Sequence, residues 1–194
     1  MSWTKASAPF FSELQTNLIN TMKKITLAAS LFSLFLFTVS AGAQSIRLSN
    51  VDWSIFAQPG KHANISVVTE GSDKGQIDFT ATPVQENTYF GIFHSVPCKT
   101  GATIHFECSA KAIKVMEQCT GHMYIEWKDA DGAEIERERG PSMSENLSLT
   151  DASKLEMSAQ APAKAVTATL VINMEVSGPG SANGVFRIQS ISFK

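Results

Sequence analysis

Apolar and polar residues alternate with a period of two through most of the chain beyond residue 44, and helical periodicity is scarce. Over residues 103–112, Ile104, Phe106, Cys108 and Ala110 point one way, and His105, Glu107, Ser109 and Lys111 the other. Residues 121–128 repeat the design. Met123, Ile125 and Trp127 share one face, and His122, Tyr124, Glu126 and Lys128 the opposite one. Residues 165–176 set Val166, Ala168, Leu170, Ile172 and Met174 inward, and Thr167, Thr169, Val171, Asn173 and Glu175 outward. The closing segment, residues 185–193, loses strict alternation between Ile188 and Ile191, which predicts a bulge there. Earlier strands are predicted at residues 45–48, 65–69, 76–80 and 89–96.

Turn-forming groups such as Gln58-Pro59-Gly60, Lys99-Thr100-Gly101 and Gly178-Pro179-Gly180 separate these segments, and Asp131-Gly132 reads as a hairpin turn. The run from Glu134 to Arg139 reads as a solvated edge strand, whose charges oppose edge-to-edge aggregation. Residues 139–153 are polar and read as an exposed loop. Residues 50–56 have a weak pattern, so Trp53 there either plugs the interior or sits in a binding loop. Some eight to ten strands in one domain predict an all-β fold, a two-sheet antiparallel β-sandwich.

The N-terminal quarter changes the boundaries of that domain. Met22-Lys23-Lys24, an apolar run over residues 25–39 and Ala41-Gly42-Ala43 read as a secretory signal cleaved after Ala43. The apolar run is too short to cross a bilayer comfortably. Residues 1–21 then read as a spurious or unstructured leader, residues 22–43 as the signal peptide, and residues 44–194 as one domain that is secreted or periplasmic. The net charge of -2 and pI near 6.1 give no basic excess to neutralise a phosphate backbone, which excludes nucleic acid as an expected partner.

Cys98, Cys108 and Cys119 all lie in the exported part, so the arithmetic expectation is one disulfide and one free thiol. Cys108 falls on an apolar face and reads as a buried thiol, which makes Cys98–Cys119 the leading pairing. The spacing does not resemble a zinc site.

The order of several short segments carries a resemblance. They are Tyr89-Phe90-Gly91, Gly101-Ala102-Thr103, Ser109-Ala110-Lys111-Ala112, Tyr124-Ile125-Glu126-Trp127-Lys128-Asp129-Ala130-Asp131-Gly132, Ala161-Pro162-Ala163-Lys164-Ala165 and Gly184-Val185-Phe186-Arg187-Ile188. Together, over residues 76–194, they resemble the galactose-binding-like jelly rolls, especially the carbohydrate-binding modules attached to bacterial glycan-degrading enzymes. The resemblance implies a jelly-roll sandwich and a glycan or oligosaccharide as partner. Two departures are visible. The final strand of many such modules carries an acid that helps hold a structural calcium. Here that place reads Arg187-Ile188-Gln189-Ser190, so calcium is disfavoured and no cofactor is expected. A tryptophan common in the family before the Ala-Pro segment is replaced in this neighbourhood by Leu155 or Met157, which reduces the aromatic platforms.

A sugar ring asks for an aromatic face to stack on and for flanking hydrogen-bonding groups. The outward residues of the middle segments supply Tyr124 and Glu126, with His105 and Glu107 on the preceding strand in sequence. Asn173 and Glu175 join if they share that sheet, and Tyr89 and His94 come from a strand with apolar residues on both faces. An ordinary wet face of an antiparallel sheet accounts for the same pattern. Trp127 shares a face with Met123 and Ile125 and reads as core. No serine elbow, metalloprotease helix motif or cysteine–histidine arrangement is present, so no catalytic residue is expected. The expected function is that of an exported, non-catalytic carbohydrate-binding sandwich. The alternative is a structural or protein-interaction sandwich of the cell envelope.

Overall fold

Eleven strands form among the described residues, 45–194 of a computed structural model. The predicted leader and signal peptide lie outside the described residues. In chain order the strands are β1 (Ser45–Leu48), β2 (Val51–Ala57), β3 (Ile65–Val67), β4 (Ile77–Ala81), β5 (Thr88–Pro97), β6 (Thr103–Glu117), β7 (Cys119–Lys128), β8 (Glu134–Ser142), β9 (Ser153–Gln160), β10 (Thr167–Val176) and β11 (Asn183–Phe193). A single-turn helix, α1 (Met143–Asn146), follows β8.

The strands make two antiparallel sheets. One is six-stranded, in the order β1-β2-β5-β10-β7-β8, and the other five-stranded, β3-β4-β11-β6-β9. The alternation predicted from the sequence sets the dry layer between them. From the first sheet, Trp53, Phe90, Ile92, Met123, Ile125, Trp127, Leu170 and Ile172 are buried, and from the second Ile77, Phe79, Phe106, Phe186 and Ile188. Aromatic pairs join the layers: Phe79 lies 6.2 Å from Phe90, and Trp53 lies 6.3 Å from Phe106. Each such side chain contributes about 1.5–3 kcal/mol through the apolar surface it withdraws from water. Trp53 is thus a plug of the interior, which settles the two readings of its segment.

The predicted bulge is present in β11, where the register with β6 shifts between Ile188 and Ser190. The Asp-Gly hairpin is present too. Gly132 takes φ +80°, and the Asp129 carboxylate accepts from the Asp131 and Ala133 amides. Glu134–Ser142 is the outer edge of the six-stranded sheet. Its charges are sorted by face: Arg137 and Arg139 share the side of Glu126 and Tyr124, and Glu136 and Glu138 the side of Trp127 and Ile125.

Several expectations need correction. Residues 139–153 are not one loop: they hold the end of β8, the helix with its buried Met143, and the start of β9. Val166 precedes β10 and is exposed rather than inward. The Cys98–Cys119 disulfide is absent, and all three thiols are free. Cys98 adjoins Val166 at one end of β10, and Cys119 pairs with Val176 at the other. That separation is about 30 Å along the strand, against the roughly 7 Å limit between the Cα atoms of bridged cysteines.

The most consequential feature is the link between β6 and β7. It is one residue, Gln118, with φ +54°. The chain crosses from the five-stranded to the six-stranded sheet there, so these two consecutive strands belong to different layers.

Candidate functional site

The outward residues of the six-stranded sheet lie in rows set by its register. One row runs Gly91, Asn173, His122, Ser142 across β5, β10, β7 and β8, and the next runs Phe93, Val171, Tyr124, Arg139. A third holds Ser95, Thr169, Glu126 and Arg137, and Tyr89 and Glu175 pair beyond the first row. β2 adds Phe56 beside Gly91.

Alternation predicts a wet face, but its middle is dry. Val171, Asn173, His122, Tyr124 and Glu126 are exposed by only 5%, 8%, 6%, 7% and 4%. Phe56 and Phe93 on one flank are half-buried, and Arg137 and Arg139 on the other are exposed. The second sheet packs on the opposite side. The outward strip between Phe93 on β5 and Tyr124 on β7, two strand spacings apart, is about 10 Å wide.

Gly91 shapes one side of it. A Cβ there would fall 2.3 Å from the Ile172 carbonyl oxygen and 2.7 Å from the Phe56 ring, so the glycine gives Phe56 room to lie over β5. Phe56 and Phe93 have ring centroids 6.1 Å apart and tilted by 57°.

A polar network lines the other side. Tyr124 Oη donates to Glu175 Oε1 at 2.9 Å, and Asn173 Nδ2 donates to the same oxygen at 3.4 Å. Arg139 Nη2 lies 2.6 Å from His122 Nε2. Arg137 Nη2 is 2.8 Å from both Glu126 Oε1 and Glu134 Oε2. The two guanidinium carbons stand 5.5 and 5.6 Å from the Tyr124 ring centre, within cation–π range. Three buried atoms are left without a partner: Glu126 Oε2, His122 Nδ1 and Asn173 Oδ1. Burial raises the Glu126 carboxyl above its ordinary range, with Arg137 pulling the other way. Burial and then Arg139 lower His122. Burial and the Glu175 carboxylate push the Tyr124 phenol up to about 12.

Of the residues predicted for the site, Tyr124, Glu126, Asn173 and Tyr89 share this face, and Glu175 joins them. Tyr124 is not the exposed platform expected of it, since it is buried beneath the two arginines. His105 and Glu107 do not join. They lie on β6 and face outward from the other sheet, on the far side of the molecule. There His105 Nδ1 is 2.7 Å from Ser158 Oγ, and Lys154 Nζ contacts Glu107 and Glu156 at 2.8 and 3.2 Å. His105, Glu107 and Glu156 bring potential ligand atoms within 4.8 Å of one another, but the Lys154 ammonium already answers both carboxylates. His94 does not join either. It turns inward, 5.6 Å from Trp53 and 5.4 Å from Phe193, with Nδ1 3.1 Å from the Asp52 carbonyl oxygen.

Sequence reasoning missed Phe56, Phe93, His122 and the two arginines. The usable signal for Phe93 was the apolar character of both faces of residues 89–96, which is excessive for a strand with one wet side.

No family model matches the chain, and no curated protein matches it. Solved structures do. Endo-1,4-β-D-xylanase 10B of Clostridium thermocellum was crystallised as its family 22 carbohydrate-binding and family 10 hydrolase modules complexed with xylohexaose. The match is 14% identical over 73% of this chain and 25% of that one, with a TM-score of 0.50. The likeness is one of fold. The enzymatically active domain of tailspike protein 4 from bacteriophage CBA120 is 15% identical over 73% of this chain and 19% of that one, at 0.48. A family 11 carbohydrate-binding module from a Clostridium thermocellum cellulosomal cellulase is 15% identical over 78% and 94%, at 0.44. This chain thus spans only a fraction of the length of the xylanase and the tailspike.

Proposed function

We propose that this protein is an exported, non-catalytic carbohydrate-binding sandwich that holds its ligand on this outward strip of the six-stranded sheet. One observation carries the reading. Polar residues on an outward face are buried, and three of their atoms lack partners, beside an aromatic flank formed by Phe56 and Phe93. A buried polar group without a partner costs free energy, and a ligand that supplies the partner recovers it. Sugars match that need, because their hydroxyls both donate and accept while their C–H faces stack on aromatic rings.

The network also supports a binding rather than a catalytic role. Glu126 faces Thr169, and Glu175 lies six residues further along β10, about 20 Å of strand, against the roughly 5–9.5 Å between the two carboxyls of a glycosidase. Export rests on the basic, apolar and small-residue order of residues 22–43.

Glycan-array binding and affinity electrophoresis on polysaccharide gels test the proposal. The protein is expected to be retarded on at least one glycan, and Phe93→Ala to weaken that binding by about tenfold or more. A folded protein retarded by no glycan overturns it.

A further inference from the structure

Arg139 reaches over from β8 and sets Nη2 2.6 Å from Nε2 of His122 on β7. A guanidinium only donates hydrogen bonds, so Nε2 is the acceptor. The imidazole is therefore neutral, with its one proton on Nδ1, which is buried and unpartnered.

Charged groups act on this ring from three elements: Arg139 from β8, Glu175 from β10 and Glu145 from α1. Its directly opposed neighbours, Asn173 on β10 and Ser142 on β8, are neutral. On its own strand the Tyr124 ring lies 5.9 Å away, and the Tyr124 phenol is protonated. Arg139 is 3.9 Å from the Glu175 carboxylate, beyond hydrogen-bond reach, and its side chain is 56% exposed. One neutral nitrogen and the face of Tyr124, 5.6 Å from the guanidinium carbon, hold it in place. A carboxylate and open water are both close at hand.

A proton added at Nε2 takes up the lone pair that Arg139 uses. The contact then sets two N–H donors and two positive charges against each other, and no hydrogen bond can form between them. We infer that His122 and Arg139 form an acid-released latch, in which the neutral ring holds the guanidinium over Tyr124 and a proton taken from solvent by Nε2 frees it to pair with Glu175. Burial and then Arg139 oppose that proton, so release belongs below the ordinary 6.5 of a histidine. The strip thus presents two surfaces. In neutral surroundings both arginines lie over Tyr124, and after release only Arg137 does.

Nitrogen-15 NMR of the histidine rings in the purified protein tests the latch. At pH 7.5 His122 is expected as the tautomer protonated at Nδ1, with a midpoint below 6.5 on acidification. Nuclear Overhauser contacts between Arg139 and the Tyr124 ring are expected at pH 7.5 and should vanish as His122 gains its charge. Arg139→Ala is expected to raise the His122 midpoint and to abolish the fixed tautomer. The wild-type spectra decide the matter even where the variant fails to fold. A neutral ring protonated at Nε2, Arg139–Tyr124 contacts that outlast the protonation of His122, or a chain that unfolds before the ring titrates each overturns the latch. All these readings are taken on the free protein, so they stand whatever the glycan assays return.

Discussion

Glu126 and Arg137 stand opposite each other across β7 and β8, joined through a 2.8 Å contact that answers only one carboxylate oxygen. Burial outweighs the guanidinium, so the Glu126 carboxyl holds its proton more tightly in the folded than in the unfolded chain. An acid shifted upward favours the fold below its ordinary pKa, and that contribution is lost as pH rises through the folded value. Glu126→Gln keeps the shape and removes the charge. Its Tm is expected to exceed that of the parent at pH 7 by about 2 °C or more. The gain should close below pH 4.5, the ordinary value of the group. Thermal scans across pH read this directly, and a gain that persists in acid would contradict it.

Arg187 makes the opposite kind of prediction. Its Nε and Nη2 hold Asp78 at 2.6 and 2.8 Å, and Nη1 reaches Asp73 at 2.5 Å. Arg187→Gln leaves the half-buried Asp78 without its cation and is expected to cost about 2–4 kcal/mol in urea unfolding. Arg187→Lys recovers only part of that, since an ammonium cannot make the forked pair. Hydrogen bonding from Arg187 lowers the Asp73 carboxyl, so its contribution is present above the ordinary 3.8 and fades as pH falls through the folded value. The penalty of Arg187→Gln is therefore expected to shrink in acid.

Gly91→Ala is expected to destabilise the fold by about 1–3 kcal/mol, because the added methyl meets the Ile172 carbonyl and the Phe56 ring at under 3 Å. The same change displaces Phe56 and should weaken glycan binding. Chemical unfolding and a glycan titration of the one variant measure the two effects separately.

The thiols can be counted by mass. Without reductant, the unfolded protein is expected to take up three alkyl groups, one for each free cysteine. In the folded protein Cys98 reacts first. Cys108 is fully enclosed, with its thiol pushed up to about 12 by burial, and should stay unmodified until the sandwich opens. Uptake of a single group after unfolding would restore the disulfide.

The dry layer was legible in the alternation, because Phe106, Ile125, Trp127, Leu170 and Ile188 have little choice of side once their strands form. The bulge in β11 and the Asp-Gly turn were legible for the same local reasons. Sheet membership was not. A period of two assigns each residue to a face, but Gln118 alone sends β7 into the other layer, and no local pattern reports that. His105 and Glu107 were therefore grouped with Tyr124 and Glu126 when the folded chain holds them on opposite surfaces. β2 was obscured because Phe56 stands at an outward position, and β9 because Lys154, Glu156 and Ser158 dilute a short apolar set. The outward strip gathers side chains from strands brought together by long-range pairing, so no single segment announces it.

The sorting of charge along β8 bears on what this molecule becomes when crowded. Two copies meeting at these borders about a twofold axis would keep their surfaces aligned. Each guanidinium would then confront a guanidinium above the joint, and each carboxylate a carboxylate beneath it. Edge-to-edge pairing through this border is therefore opposed by like charge on both surfaces at once.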